Sequence, residues 1–151
     1  PSFLEELFWP RVYLSKLLSP ISYILPITGL DAVRVPKVSG CCLMIRMSFL
    51  RTTGYLDEGV FLYSEEPILS ARVYKAGGHI VLEPSLLAVH AHVRSEKGNS
   101  SRRMLTFIKS RLYYLKNYSG YGWFSLKLLH ASYAALRTLH VLKALLPEKN
   151  D

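Results

Sequence analysis

The chain has 151 residues, a formal net charge of +8, and half of its residues are hydrophobic. That apolar content excludes a disordered chain, and the length allows one packed core at most. Nineteen Lys and Arg against eleven Asp and Glu point to an anionic partner, whether lipid, nucleic acid or a polyanionic substrate.

Residues 1–37 alternate apolar clusters with Pro10, Pro20, Pro26 and Pro36, which predicts short helical or extended pieces rather than one long helix. This lead-in is expected to wrap the domain or close its binding side. It lacks the basic lead and continuous apolar core of a signal peptide, and it carries no Gly-rich phosphate loop or βαβ pattern. Val38 to Ile45 reads as a buried strand, a short apolar run centred on the small residues Ser39-Gly40-Cys41-Cys42. A disulfide between adjacent cysteines would be strained, so both thiols are expected to pack inside, in a reducing compartment. Neither belongs to a Cys-x-x-Cys pair. Met47 to Thr53 reads as a short helix.

Gly54 to Gly78 is the most informative run. It sets Asp57, Glu58, Glu65 and Glu66 around an apolar, aromatic turn and closes with a bounded helix. Proline disfavours helical geometry in the residue before it and suits the first helical position, so the helix is predicted to start at Pro67 with Glu66 at its mouth. Leu69, Val73 and Ala76 fall on one face, and Gly77-Gly78 supply a left-handed stop. Repulsion and burial raise the pKa of paired carboxylates, whereas the helix dipole lowers it. Two readings stay open: one of the pair is an ionised base, or both are acids that simply favour a first turn.

His79 to Leu82 and Leu86 to His92 read as further strands. Alternation would place His90 and His92 on one face, which suits a metal or merely solvent. Residues 1–92 carry eight basic and eight acidic side chains, so the net charge resides in 93–151, with eleven basic residues against three acidic ones. Met104 to Tyr118 and Trp123 to Leu146 are helix candidates. In the second, Lys127, His130, Arg137 and His140 are expected on one side, opposite Leu128, Leu129, Leu136, Leu139 and Leu146. That pattern suits a helix lying in a membrane interface, with Tyr118, Tyr121, Trp123 and Phe124 as an interfacial aromatic cluster. It equally suits a helix packed on protein. Nucleic acid is the weaker reading, because no recognised motif accompanies the tyrosines and basic residues of RLYYLKNYSGYG.

The run VSGCCLMIRMSFLRTTGYLDEGVFLYSEEPILSARVYKAGGHIVLEP resembles the second half of the catalytic domain of family 2 glycosyltransferases, particularly the bacterial rhamnosyltransferase-like group. The likeness covers Val38 to Ser95 and continues more weakly to Gly122. It rests on the order of a small-residue strand holding Gly40, an arginine (Arg46), a Gly-x-aromatic-Asp-Glu turn (here Gly54-Tyr55-Leu56-Asp57-Glu58) and an acidic pair. The family's Glu-Asp pair falls on Glu65 and Glu66. A second aspartate two residues later is Ile68 here, while Leu69 and Arg72 are kept.

The resemblance implies an α/β chain: part of a GT-A (Rossmann-like) catalytic domain lacking its nucleotide-binding half, followed by C-terminal helices. The implied divisions are the lead-in 1–37, an acceptor-side half 38–103 and a basic helical tail 104–151. It implies inverting transfer from a nucleotide-sugar to a saccharide or lipid-linked acceptor in cell-surface polysaccharide synthesis. Glu66 would be the base with Glu65 beside it, and Gly40, Arg46, Asp57, Glu58 and Arg72 would contact substrate. A divalent ion, Mg²⁺ or Mn²⁺, is implied for the leaving diphosphate, with His90 at the position of a metal contact. The chain has no Asp-x-Asp element, since its aspartates are Asp31, Asp57 and Asp151. By itself it is therefore expected to be inactive, its partner being the missing N-terminal half. The expected location is cytoplasmic, peripheral at the inner face of the cell membrane. The alternative is a non-catalytic basic module that binds anionic membrane or nucleic acid.

Overall fold

The computed structural model describes residues 2–14, 31–89 and 100–145. Its elements in chain order are α1 (Phe3–Leu14), β1 (Val33–Val35), α2 (Met47–Thr53), α3 (Glu65–Lys75), β2 (Ile80–Leu82), α4 (Ser100–Tyr118) and α5 (Trp123–Leu145). The fold among these residues is mixed α/β, mostly helical with one two-stranded sheet.

The core is made by three helices. Met104, Phe107, Ile108, Leu112 and Leu115 recur at helical spacing along α4, and Leu126, Leu129, Tyr133 and Leu136 do so along α5. Ile108, Leu115, Leu129, Tyr133 and Leu136 are fully buried where these stripes meet, and Phe3, Leu7 and Trp9 of α1 cover them. Each such side chain contributes roughly 1.5–3 kcal/mol by leaving water. Trp9 lies between Phe107 and Tyr133, with ring centroids 4.9 and 6.0 Å away. Beneath it the buried Glu6 carboxylate is paired with Arg111 and accepts the Tyr133 hydroxyl at 3.1 Å.

Four sequence expectations change here. First, α1 runs through Pro10 as one helix instead of breaking there. It starts with a capping box in which the Glu5 amide donates to Ser2 Oγ at 3.3 Å and the Ser2 nitrogen to Glu5 Oε2 at 2.7 Å. Second, Val38 to Ile45 forms no strand, and Cys41 and Cys42 are exposed free thiols. Short apolar runs do not by themselves distinguish strand from loop. The place beside β2 is taken by Val33–Val35, paired antiparallel so that Arg34 faces Val81, while the Gly40 amide bonds a side chain instead. Third, Leu86 to Val89 is not a strand, and Leu87 and Val89 are almost fully exposed. Fourth, His140 is buried beside Ser101, with Nδ1 3.3 Å from Oγ, rather than on a basic surface.

Helices α2, α4 and α5 occupy the expected stretches within a few residues, and β2 occupies most of the stretch expected for it. Helix α3 begins two residues early, at Glu65, with Pro67 in its first turn, where a missing N–H costs no intrahelical bond. Its inward residues are Ile68 and Ser70, whereas Ala76 is exposed just beyond its end. The stop is as expected. Gly77 has φ +71°, and the Gly77 and Gly78 amides donate to the Tyr74 and Val73 carbonyls, the paired bonds of a Schellman motif. Tyr74 ties this helix to the sheet by donating its hydroxyl to the Val35 carbonyl at 3.0 Å.

Candidate active site

The loop 54–64 connects α2 to α3 and is bracketed by left-handed backbone. Gly54 and Tyr55 open it at φ +77° and +64°, and Tyr63 and Ser64 close it at φ +69° and +68°. Left-handed geometry costs on the order of 1–3 kcal/mol for each non-glycine residue, so outside contacts must hold the loop. Helix α4 supplies them. Ser110 donates to the Leu62 carbonyl at 2.6 Å, Phe107 meets the Tyr63 ring edge-on at 5.7 Å, and Tyr113 and Tyr118 both donate to Asp57.

Asp57 is the knot of this arrangement. Its Oδ1 accepts the Gly59 amide at 2.6 Å, an Asx turn, and the Tyr113 hydroxyl at 3.0 Å, while Oδ2 accepts Tyr118. Burial alone pushes the Asp57 carboxyl up, but the Tyr118, Gly59 and Tyr113 hydrogen bonds and the Arg72 charge together hold it below its usual value. Conversely, burial and the bond to Asp57 push the Tyr118 phenol up to about 12. An ionised carboxylate with its lone pairs so engaged fixes the loop and is a poor proton acceptor.

A cavity of about 540 Å³ lies between the loop, α3 and the 40–45 segment. Gly40, Asp57, Glu65, Glu66 and Arg72 all line it, so five of the residues singled out in the sequence converge. Its remaining wall is apolar and includes Leu43, Leu56 and Ile68. Glu66 is half-buried, in the first turn of α3, and its Oε1 accepts the Gly40 amide at 3.1 Å. Arg72 donates to the carbonyl of Thr53, the last residue of α2, where a cation complements the helix dipole. A second, open cavity of about 600 Å³ shares Leu56, Asp57 and Arg72 with the first and adds Glu58 and Tyr118. The apolar wall of the first cavity, with its few convergent charged groups, suits a small ligand with hydroxyls.

Arg46 is not brought to the lining of either cavity; it is exposed and caps α2 through its backbone. His90 lies outside the described residues. Among the described residues, no three His, Cys, Asp or Glu come together as metal ligands, and the Asp57 oxygens are engaged by donors. The described residues therefore do not by themselves make a divalent-metal site. Sequence reasoning missed Tyr113 and Tyr118 as builders of this site. The available signal was a set of hydroxyl side chains on a core-packed helix, each of which needs a partner when it faces protein.

The chain is 29% identical over 121 residues to the N-acetylglucosaminyl-diphospho-decaprenol L-rhamnosyltransferase of two strains of Mycobacterium tuberculosis. The match covers 77% of this chain and 36% of each relative, so the chain spans about a third of the length of the curated relatives it matches. No family model and no solved structure matches it. The similarity is thus to sugar-transferring enzymes.

Proposed function

We propose that this chain is the acceptor-side part of an inverting glycosyltransferase of GT-A type, and that Glu66 is its general base. The observation that carries this reading is the Glu66 carboxylate held by the Gly40 amide at the wall of a cavity shared with Glu65, Asp57 and Arg72. Gly40 engages Oε1, and Oε2 is the oxygen assigned to take the proton from the acceptor hydroxyl. As that proton leaves, the hydroxyl oxygen bonds to the anomeric carbon of a nucleotide-sugar. The bond from that carbon to the diphosphate breaks, and the electron pair departs with the nucleotide.

The proposed acceptor class is that of the relatives, whose name specifies a saccharide on a lipid diphosphate, and the apolar cavity wall is compatible with it. The membrane face is accordingly the proposed place of action, on its cytoplasmic side. Nucleotide binding is assigned to a part of the enzyme outside this chain, as is most of the ligand set for a divalent ion, with His90 a proposed contributor. Such an ion would neutralise charge on the departing diphosphate.

The test is transfer of a labelled sugar from a nucleotide-sugar to a lipid-diphosphate saccharide by the enzyme that carries this chain. Glu66→Gln should lower kcat about 10²–10⁴-fold, the usual worth of a positioned base, and Glu65→Gln should cost less. Unchanged transfer by Glu66→Gln would remove Glu66 from the mechanism. The 151-residue chain alone is expected to give no turnover, and robust turnover would refute its status as a part.

A further inference from the structure

Burial along α5 separates two stripes. The inward one holds Leu129, Tyr133, Leu136 and His140. The outward one holds Phe124, Leu128, Ala131, Ala135, Thr138 and Leu142, all exposed, at alternating steps of four and three residues that keep them on one face. Phe124 is 74% exposed and Leu142 58%, and Trp123 beside them is 72% exposed. This is a seam along nearly the whole helix, apolar except at Thr138, whose hydroxyl donates to the Ala134 carbonyl, with no described element over it.

Its chemical surroundings indicate what covers it. From Ser100 to Pro147 the sequence contains no Asp or Glu, while Ser100 to Leu145 contains eight Lys and Arg. Of these, Arg111 is neutralised by Glu6. Lys127 and Arg137 are exposed on the seam's own helix, and the Lys127 ammonium sits 4.9 Å from the centre of the Trp123 ring. Pairing the seam with a second copy would bring two such cationic helix pairs together with no acidic side chain of α4 or α5 to offset them. An anionic lipid surface satisfies both the apolar seam and the charge. Among the described residues no helix is long and apolar enough to cross a membrane, so α5 would lie in the surface plane.

We propose that the Phe124–Leu142 seam of α5 docks this protein onto an anionic lipid surface. The seam enters the boundary between headgroups and acyl chains, Trp123 sits at headgroup level, and Lys127 and Arg137 meet lipid phosphates. This contact is distinct from the Glu66 cavity and does not depend on sugar transfer.

The test is flotation of the 151-residue chain with phosphatidylcholine vesicles, with and without about 30% phosphatidylglycerol. Binding is expected only with the anionic lipid, accompanied by a blue shift of tryptophan fluorescence from Trp123, since Trp9 already lies in the core. Replacing Phe124, Leu128 and Leu142 together by Ser should weaken partitioning at least roughly tenfold. Lys127→Gln with Arg137→Gln should weaken it on anionic vesicles alone. The charge variant keeps the proposal testable if the triple variant fails to fold. Absence of flotation, equal binding to neutral vesicles, or wild-type binding by either folded variant would overturn the proposal. So would a dimer in solution that the triple variant dissolves without any vesicle binding, because the seam would then belong to a second copy.

Discussion

Glu66 Oε1 accepts the Gly40 amide at 3.1 Å across 26 positions of sequence, and a Cβ built on Gly40 would come within 2.9 Å of that same oxygen. The close approach therefore requires a residue without a side chain. In Gly40→Ala the crowded atom is the end of a flexible side chain, so the carboxylate turns away cheaply. The expected outcome is a melting temperature close to wild type and a clear fall in sugar transfer by the full enzyme. A variant with wild-type transfer would show that this hydrogen bond does not position the base.

Gly59 lies against an aromatic ring, which cannot yield as a flexible chain end does. A Cβ there would lie 2.1 Å from the Tyr113 ring. Gly59→Ala should drive the ring off Asp57, losing that hydrogen bond and overpacking the loop, at a cost of about 1–3 kcal/mol. Chemical denaturation of the 151-residue chain measures this directly.

The Asp57–Tyr118 pair predicts how stability depends on pH. Asp57 has a folded pKa below its ordinary 3.8, so its contribution is fully present above that value and is lost as pH falls through the lower folded pKa. Tyr118 has a folded pKa raised from 10.0 to about 12, so its contribution is fully present below 10.0 and is lost as pH rises through about 12. Tyr118→Phe removes a donor from Asp57 and should move the acid limb of the stability curve to higher pH. It should also remove part of the alkaline limb. Unfolding midpoints across pH, with the Asp57 carboxyl followed by NMR, would detect both changes.

Glu6 and Arg111 join α1 to α4 in the core, and Glu6 is 3% exposed. Arg111→Met would strand a buried carboxylate, with an expected loss of about 3–5 kcal/mol. Glu6→Gln together with Arg111→Met should recover part of that loss, since no buried charge remains. A double mutant as unstable as Arg111→Met alone would mean that packing, not charge, dominates at this site.

Helices were legible in the sequence wherever local signals agreed, as in α4 and α5 with their 3.6-residue periodicity and in α3 with its double-glycine stop. The Ser2-x-x-Glu5 capping box went unread, and Pro10 suggested a break where the helix continues. The 38–45 run was misread because apolar composition does not reveal whether backbone amides find a ladder or a side chain. For Gly40 the partner was Glu66.

By itself the sequence determined the acidic cluster around Gly54 to Gly78, the basic character of the C-terminal third and the likeness to sugar transferases. These depend on residue identity and short spacing. Only the tertiary structure decided that α4 holds the acidic loop through Ser110, Tyr113 and Tyr118, that Asp57 is filled with donors, and that Arg46 stands apart from the cavity. The same holds for α5, where packing against α1 and α4 buried His140 and left the Phe124–Leu142 seam outside. Such outcomes depend on contacts between residues distant in sequence, from 39 positions for His140 and Ser101 to 127 for Tyr133 and Glu6, and no local pattern encodes which of two amphipathic faces finds a partner.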